Sequence, residues 1–186
     1  MKRGLVASGA LALLTVTGSA PALEHQHHLG LDPSLSTLKV DDKSSVSVGV
    51  GLGLHYTYDV NDQFLFLAEA NYSRVAADQQ QDFDNSPHTR PADVADGMAG
   101  VGYVIDVLRF VPYLAVLAGG YRLSGGTLDR PLLIPGAEAG VGLDYQLTHH
   151  FTAGVGIRQH FLLTKMSTYP SYTTIFLRVE YVWGGR

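Results

Sequence analysis

Strict alternation of two kinds of side chain is what most narrows the folds open to this chain. In residues 45–58, SVSVGVGLGLHYTY, one parity holds Val46, Val48, Val50, Leu52, Leu54 and Tyr56, and the other holds Ser47, Gly49, Gly51, Gly53, His55 and Thr57. Side chains of a strand point alternately to opposite faces, so the stretch predicts one strand with an apolar face and a small, polar face. The same period recurs in residues 63–75, 97–106, 111–123, 134–147, 151–163 and 172–183. In 111–123 the apolar set is Val111, Tyr113, Ala115, Leu117 and Tyr121, with Arg122 on the polar parity. Closed bacterial barrels have an even number of strands, so a further strand is expected at 27–38, where Leu29, Leu31 and Leu35 share a parity. Pro33 has no N–H to give a ladder, which predicts a bulge there.

The connections alternate in length. Those near 59–62, 106–109 and 148–150 are tight, whereas that at about 76–95 is long and polar, and those around 41–44, 124–131 and 165–171 fall at the same end as the long one. Short turns at one end and longer loops at the other mark an outer-membrane barrel, with its turns in the periplasm. The expected fold is all-β: an eight-stranded antiparallel up-and-down transmembrane β-barrel.

Periodicity alone does not say which face is inside, since a soluble lipocalin-like barrel shares it. Three features favour lipid outside. The glycine- and serine-rich parity suits the crowded lumen of an eight-stranded barrel. Aromatics of the apolar parity gather beside the short turns (Tyr56, Tyr58, Phe64, Phe66, Tyr145, Phe151, Tyr181 and Trp183), as an interfacial girdle requires. The mid-strand charges Glu69, Glu138, Arg158, Arg178 and Glu180 all take the other parity, and a basic side chain facing lipid at the midplane costs about 2–4 kcal/mol.

Composition agrees. Charged residues make up 16% of the chain, against roughly 25% in soluble domains. Residues 1–22 carry Lys2 and Arg3, an apolar run and Ala20-Pro21-Ala22, the pattern of a secretory signal peptide cleaved before a barrel domain at 23–186. Loss of Lys2 and Arg3 would take the formal net charge from −4 to −6, which does not suit a nucleic-acid partner. There is no cysteine, hence no disulfide framework and no lipidated cysteine.

At residues 109–126, 139–161 and 173–183 the sequence resembles the small eight-stranded outer-membrane barrels of the OmpA transmembrane domain, OmpX and opacity-protein group. It is most similar to uncharacterised single-domain outer-membrane β-barrel proteins. Val111 to Leu114 (V-P-Y-L) and Gly142 to Thr148 (G-x-D-Y-x-L-T) carry the likeness. The resemblance implies a bacterial outer-membrane location and no shared activity. Tyr181 and Trp183 resemble the near-terminal aromatic signal read by the barrel-assembly machinery, although Gly184, Gly185 and Arg186 follow them.

Four sets of residues invite chemistry. Folding the hairpins brings lumenal charges together, giving an expected ion-pair cluster of Glu69, Glu138, Arg158 and Arg178 with Arg122, Glu180, His160 and Asp32 around it. Buried charges must be paired, so the cluster fills the lumen or, in an alternative reading, gates a narrow ion path. Arg74, Arg90, Arg130 and Lys165 near the loop end are candidate lipopolysaccharide contacts, because cations suit phosphate. His25, His27 and His28 form a histidine-rich tail whose expected state is disorder, without metal or cofactor. The acidic run at 82–85 lacks the pattern of a calcium loop. A lipid-A deacylase needs a His-x-Ser pair, and neither His55-Tyr56-Thr57 nor His160 supplies one, so no enzyme is expected. The sequence therefore reads as a monomeric outer-membrane barrel with a filled lumen and a structural or surface-interaction role in lipid and lipopolysaccharide. A small ion-conducting barrel and a soluble periplasmic ligand-binding barrel are the alternatives.

Overall fold

Runs rich in Val, Tyr, Thr and Leu, punctuated by turn residues, satisfy their backbone groups as strands. In the computed structural model, which describes residues 25–40, 46–76, 90–105 and 109–185, they form β1 (Gln26–Lys39), β2 (Val46–Asp59), β3 (Phe64–Val75), β4 (Asp93–Val104), β5 (Phe110–Ser124), β6 (Leu132–Gln146), β7 (Phe151–Leu162) and β8 (Ser171–Gly184). Each strand pairs antiparallel with its sequence neighbours, and β8 closes on β1. Closure leaves no unpaired edge, the condition a sheet must meet to cross a bilayer.

The opening stretch turns its valines and leucines outward. Val50 is 65% exposed and Leu52 54%, whereas His55 is 1% exposed. β1, β3, β4, β6, β7 and β8 show the same division, with Leu35, Phe66, Val101, Val141, Ile157 and Leu177 among the outward residues. A continuous apolar exterior around an interior that holds the buried charges is the inverse of a lipocalin-like barrel, and the soluble alternative falls with it.

Two local expectations are corrected. β1 passes Pro33 without a bulge. Its ladder to β2 is continuous, with Pro33 opposite Leu52, and its ladder to β8 merely skips Asp32 and Pro33 and resumes in the same register at Ser34. The missing N–H therefore costs one side of the ladder over two residues and leaves the side-chain alternation intact.

β5 has the opposite facing from the one its sequence suggests. Tyr113, Ala115, Leu117 and Tyr121 point inward and are buried, while Leu114 and Val116 are exposed. Both parities of β5 are apolar, so alternation carries no signal there. What decides is volume, because β6 brings glycines to the lumen beside β5. A Cβ on Gly142 would lie 2.5 Å from the Tyr113 ring, and one on Gly136 would lie 2.2 Å from the Tyr121 ring. The two tyrosines occupy space that those glycines leave.

The interior is zoned. Leu38, Val94, Leu123, Ile134, Leu162 and Tyr172, each at most 3% exposed, meet at the loop end. Further toward the short turns, the lumen between β6, β7, β8, β1 and β2 is polar.

Candidate functional site: a lumenal ion-pair network

Arg158 on β7 is the hub. Its Nη2 contacts Asp32 Oδ2 at 2.5 Å and Glu69 Oε2 at 3.0 Å, and its Nε lies 3.2 Å from Glu138 Oε1. These carboxylates come from β1, β3 and β6, so one guanidinium ties three walls together across the lumen. Register explains the reach. Arg158 stands opposite Gly140 on β6, and Glu138 is the next inward residue. The stem passes Gly140 at ordinary contact distance, 3.6 Å from where a Cβ would stand to Arg158 Cγ, so alanine would also fit there.

Arg178 on β8 stands opposite Gly154 of β7 and so is not a direct neighbour of Arg158. The two arginines meet through Asp32, which Arg178 Nε approaches at 3.3 Å, and through Phe176. Arg158 lies 3.8 Å and Arg178 5.1 Å from the Phe176 ring centroid. Asp32 and the ring face between them offset the repulsion of two buried cations.

From Asp32 the network continues toward the short turns as alternating imidazole and carboxylate. His55 Nδ1 is 3.0 Å from Asp32 Oδ1 and its Nε2 is 2.7 Å from Glu180 Oε1. His28 Nδ1 is 3.1 Å from Glu180 Oε2, and its Nε2 is 2.9 Å from Asp59 Oδ2. On the loop side, His160 lies 3.2 Å from Glu138 by Nδ1 and 2.7 Å from Thr174 Oγ1 by Nε2, with Tyr121 OH 3.1 Å from Nδ1. Thr174, His160 and Glu138 thus stand in the order of a hydrolase triad. Thr174, however, is 5% exposed inside a packed layer.

Among the expected cluster members, Glu69, Glu138, Arg158, Arg178, Glu180 and His160 come together, and Asp32, placed at the edge by sequence, is central. Arg122 does not join them. It projects outward from β5 and is exposed, for the reason given by the facing of that strand. The histidine tail is also different from its expectation. His27 and His28 open β1, and His28 enters the lumen while His27 stacks on Trp183 at 5.5 Å. Sequence reasoning missed His28, His55, Asp59 and Phe176 as network members. The parity of His55 and Asp59 was the available signal, since both fall with the glycines of β2.

Outside, Tyr56, Tyr58, Phe64, Phe66, Tyr145, Phe151, Tyr181 and Trp183 lie on outward positions at the short-turn end. Ring contacts add neighbours that the sequence did not single out: Tyr103 to Phe64 at 5.4 Å and Phe110 to Tyr145 at 5.0 Å. All eight strands then carry an aromatic or imidazole ring at that level. Of the four loop-end cations, Arg74, Arg130 and Lys165 are exposed, and the latter two line one shallow cavity of about 300 Å³ with Tyr169. Arg90 differs at 7% exposed, its backbone N–H donating to Thr127 Oγ1. The acidic run at 82–85 and the signal segment at 1–22 lie outside the described residues.

A closed, eight-stranded up-and-down barrel with apolar walls and a charged interior defines the class of small transmembrane β-barrels. A family model for the outer membrane protein beta-barrel domain matches residues 8–182, and the chain belongs to that family of bacterial outer-membrane proteins. Solved structures share the fold at low identity. Neisserial surface protein A has 15% identity and a TM-score of 0.61, with 86% of this chain and 98% of that one covered. The N-terminal barrel domain of Pseudomonas aeruginosa OprF has 13% identity and a TM-score of 0.57 over 86% and 100% of the two chains. Ail, the attachment invasion locus protein of Yersinia pestis, has 14% identity and a TM-score of 0.55 over 86% and 99%. No protein among curated sequences matches the chain.

Proposed function

We propose that this barrel is a monomeric, non-enzymatic outer-membrane scaffold with an occluded lumen, whose part is to hold surface loops rigidly in the outer leaflet. The observation that carries the reading is the span of the network: Arg158 bonds carboxylates from three different walls, and every member near it is at most 5% exposed. A lumen crossed by such bonds has no continuous path for ions. The long connection at 76–95 is the region for a surface partner, because binding residues concentrate on loops held by a rigid scaffold. In this reading residues 1–22 are removed on export, the barrel-assembly machinery inserts the chain, and the turns face the periplasm. Exposed Arg74, Arg130 and Lys165 hold lipopolysaccharide phosphates, and the aromatic ring seats the other rim at the interface.

Planar-bilayer recording of the refolded protein tests the occluded lumen. Wild type and Glu138→Ala are both expected to be silent. Steady conductance by wild type would remove the reading. Conductance by Glu138→Ala alone would favour a gate, a second reading supported by the sharing of Asp32 between Arg158 and Arg178, which gives the pairs a route to exchange.

A further inference from the structure

Among the described residues, seven carboxylates are buried inside the barrel: those of Asp32, Glu69, Glu138 and Glu180, together with Asp59, Asp96 and Asp144. The cations in the network with them are Arg158, Arg178 and, when protonated, His28, His55 and His160. With every imidazole charged, these seven carboxylates still outnumber the five cations seen to contact them by two. Buried charge of this kind requires a counter-ion or a proton.

Three of these carboxylates converge on one point. Glu69, Asp96 and Glu138, from β3, β4 and β6, each bring a carboxylate oxygen within 4.8 Å of the other two. Oxygens bound to one calcium ion at about 2.4 Å lie no more than about 4.8 Å apart, so the spacing is that of three ligands on one ion. Each residue also has a buried oxygen that accepts no hydrogen bond: Glu69 Oε2, Asp96 Oδ2 and Glu138 Oε2. Arg158 Nη2 and His160 Nδ1 approach the first and third at 3.0 and 3.2 Å. Among the described residues nothing pairs with Asp96 Oδ2, although Asp96 is only 8% exposed. Asn71 donates Nδ2 to Glu69 Oε1 at 2.7 Å and to Asp96 Oδ1 at 2.8 Å, fixing the two carboxylates side by side, with Glu69 Oε2 turned to Arg158 and Asp96 Oδ2 left without a hydrogen bond.

We propose that Glu69, Asp96 and Glu138 form a lumenal binding site for one hard divalent cation, calcium, held between the walls formed by β3, β4 and β6. The donors are all oxygen, which selects calcium over softer metals, and water completes the coordination. The ion adds a second hub beside Arg158 and joins β4, which Asn71 also ties to β3, to β6 past the intervening β5.

The test uses the full barrel refolded in detergent micelles free of lipopolysaccharide, with calcium chloride or with a chelator present during refolding. Calcium is expected to raise the midpoint of the heat-induced gel-mobility shift by about 3 °C or more, and Asp96→Asn to abolish the rise. Tyrosine-sensitised terbium luminescence, displaced by calcium at one ion per barrel, reads the same site in wild type and decides the matter if Asp96→Asn does not refold. An equal midpoint with and without calcium, or absence of terbium emission, would overturn the proposal. So would terbium bound equally by Asp96→Asn, which would locate the ion in a surface loop.

Discussion

The two ends of the lumen are closed by different means. At the loop end, Leu38, Val94, Leu123, Ile134, Leu162 and Tyr172 pack without a charge among them. Nearer the short turns the same volume is held by Asp32, Arg158, Arg178, Glu180, His55 and His28 in alternating sign. Apolar packing is non-directional, so loss of one side chain is felt as a cavity and little else. A charged network is conditional. Each member was taken out of water on the strength of its partners, and removing one leaves the others buried and unpaired.

The largest expected effect follows from that contrast. Arg158→Ala should leave Asp32, Glu69 and Glu138 without their shared cation and cost about 3–5 kcal/mol, measured by urea unfolding of the refolded barrel in micelles and read from the gel-mobility shift. Leu123→Ala, at 0% exposed in the apolar end, should cost less than Arg158→Ala, within the roughly 2–5 kcal/mol of cavity-forming truncations. Salt provides a sharper separation, since the cost of Leu123→Ala should be the same at low and high ionic strength. If Leu123→Ala proved the more damaging of the two, the lumen would be held chiefly by its plug, and the network would be a passenger.

A third expectation concerns how side chains of the two kinds share space. Gly142→Ala brings a methyl to within 2.5 Å of the Tyr113 ring, which is itself buried near Arg178. Overpacking of this kind costs about 1–3 kcal/mol. Tyr113→Leu in the same chain should recover most of the loss, and a double-mutant cycle from urea midpoints measures how much. Additive costs would mean that glycine at 142 serves something other than the tyrosine.

These pairs also show where the sequence is readable. Strands β2, β3, β6, β7 and β8 set large apolar residues against glycine or charge, so lipid face and lumen follow from parity, and with them Glu69, Glu138, Arg158, Arg178 and Glu180. The loop-end plug is not readable in this way. Leu38, Val94, Leu123 and Leu162 are inward apolar residues, and a rule that sends apolar side chains to lipid passes over them. β5 fails for a related reason: its tyrosines fill gaps left by glycines on the neighbouring strand, a relation that exists only once the register is known. Asp32 lies beside Pro33 and His28 at the start of β1, where the strand pattern is weakest, so the sequence put Asp32 only at the edge of the cluster and passed over His28; closure of β1 on β8 brings both into the network.

The smallest expected effect completes the comparison, because it concerns an arginine that sequence grouped with Arg158. Arg122 stands on the outer surface of β5, opposite Ala95 and Leu133, with no ion pair to any described residue. It lies one residue short of the apolar plug in sequence and on the other side of the wall from it. An exposed side chain without partners contributes within about 0.5 kcal/mol, so Arg122→Ala should unfold at the urea midpoint of wild type, whereas Arg158→Ala moves far below it. Its position near the loop end lets the guanidinium reach the headgroup level, so it escapes the midplane cost that Arg158 would meet outside the barrel. A loss of 2 kcal/mol or more in Arg122→Ala would mean that this side chain is inside after all, and the facing of β5, with the tyrosine–glycine packing that sets it, would have to be reversed.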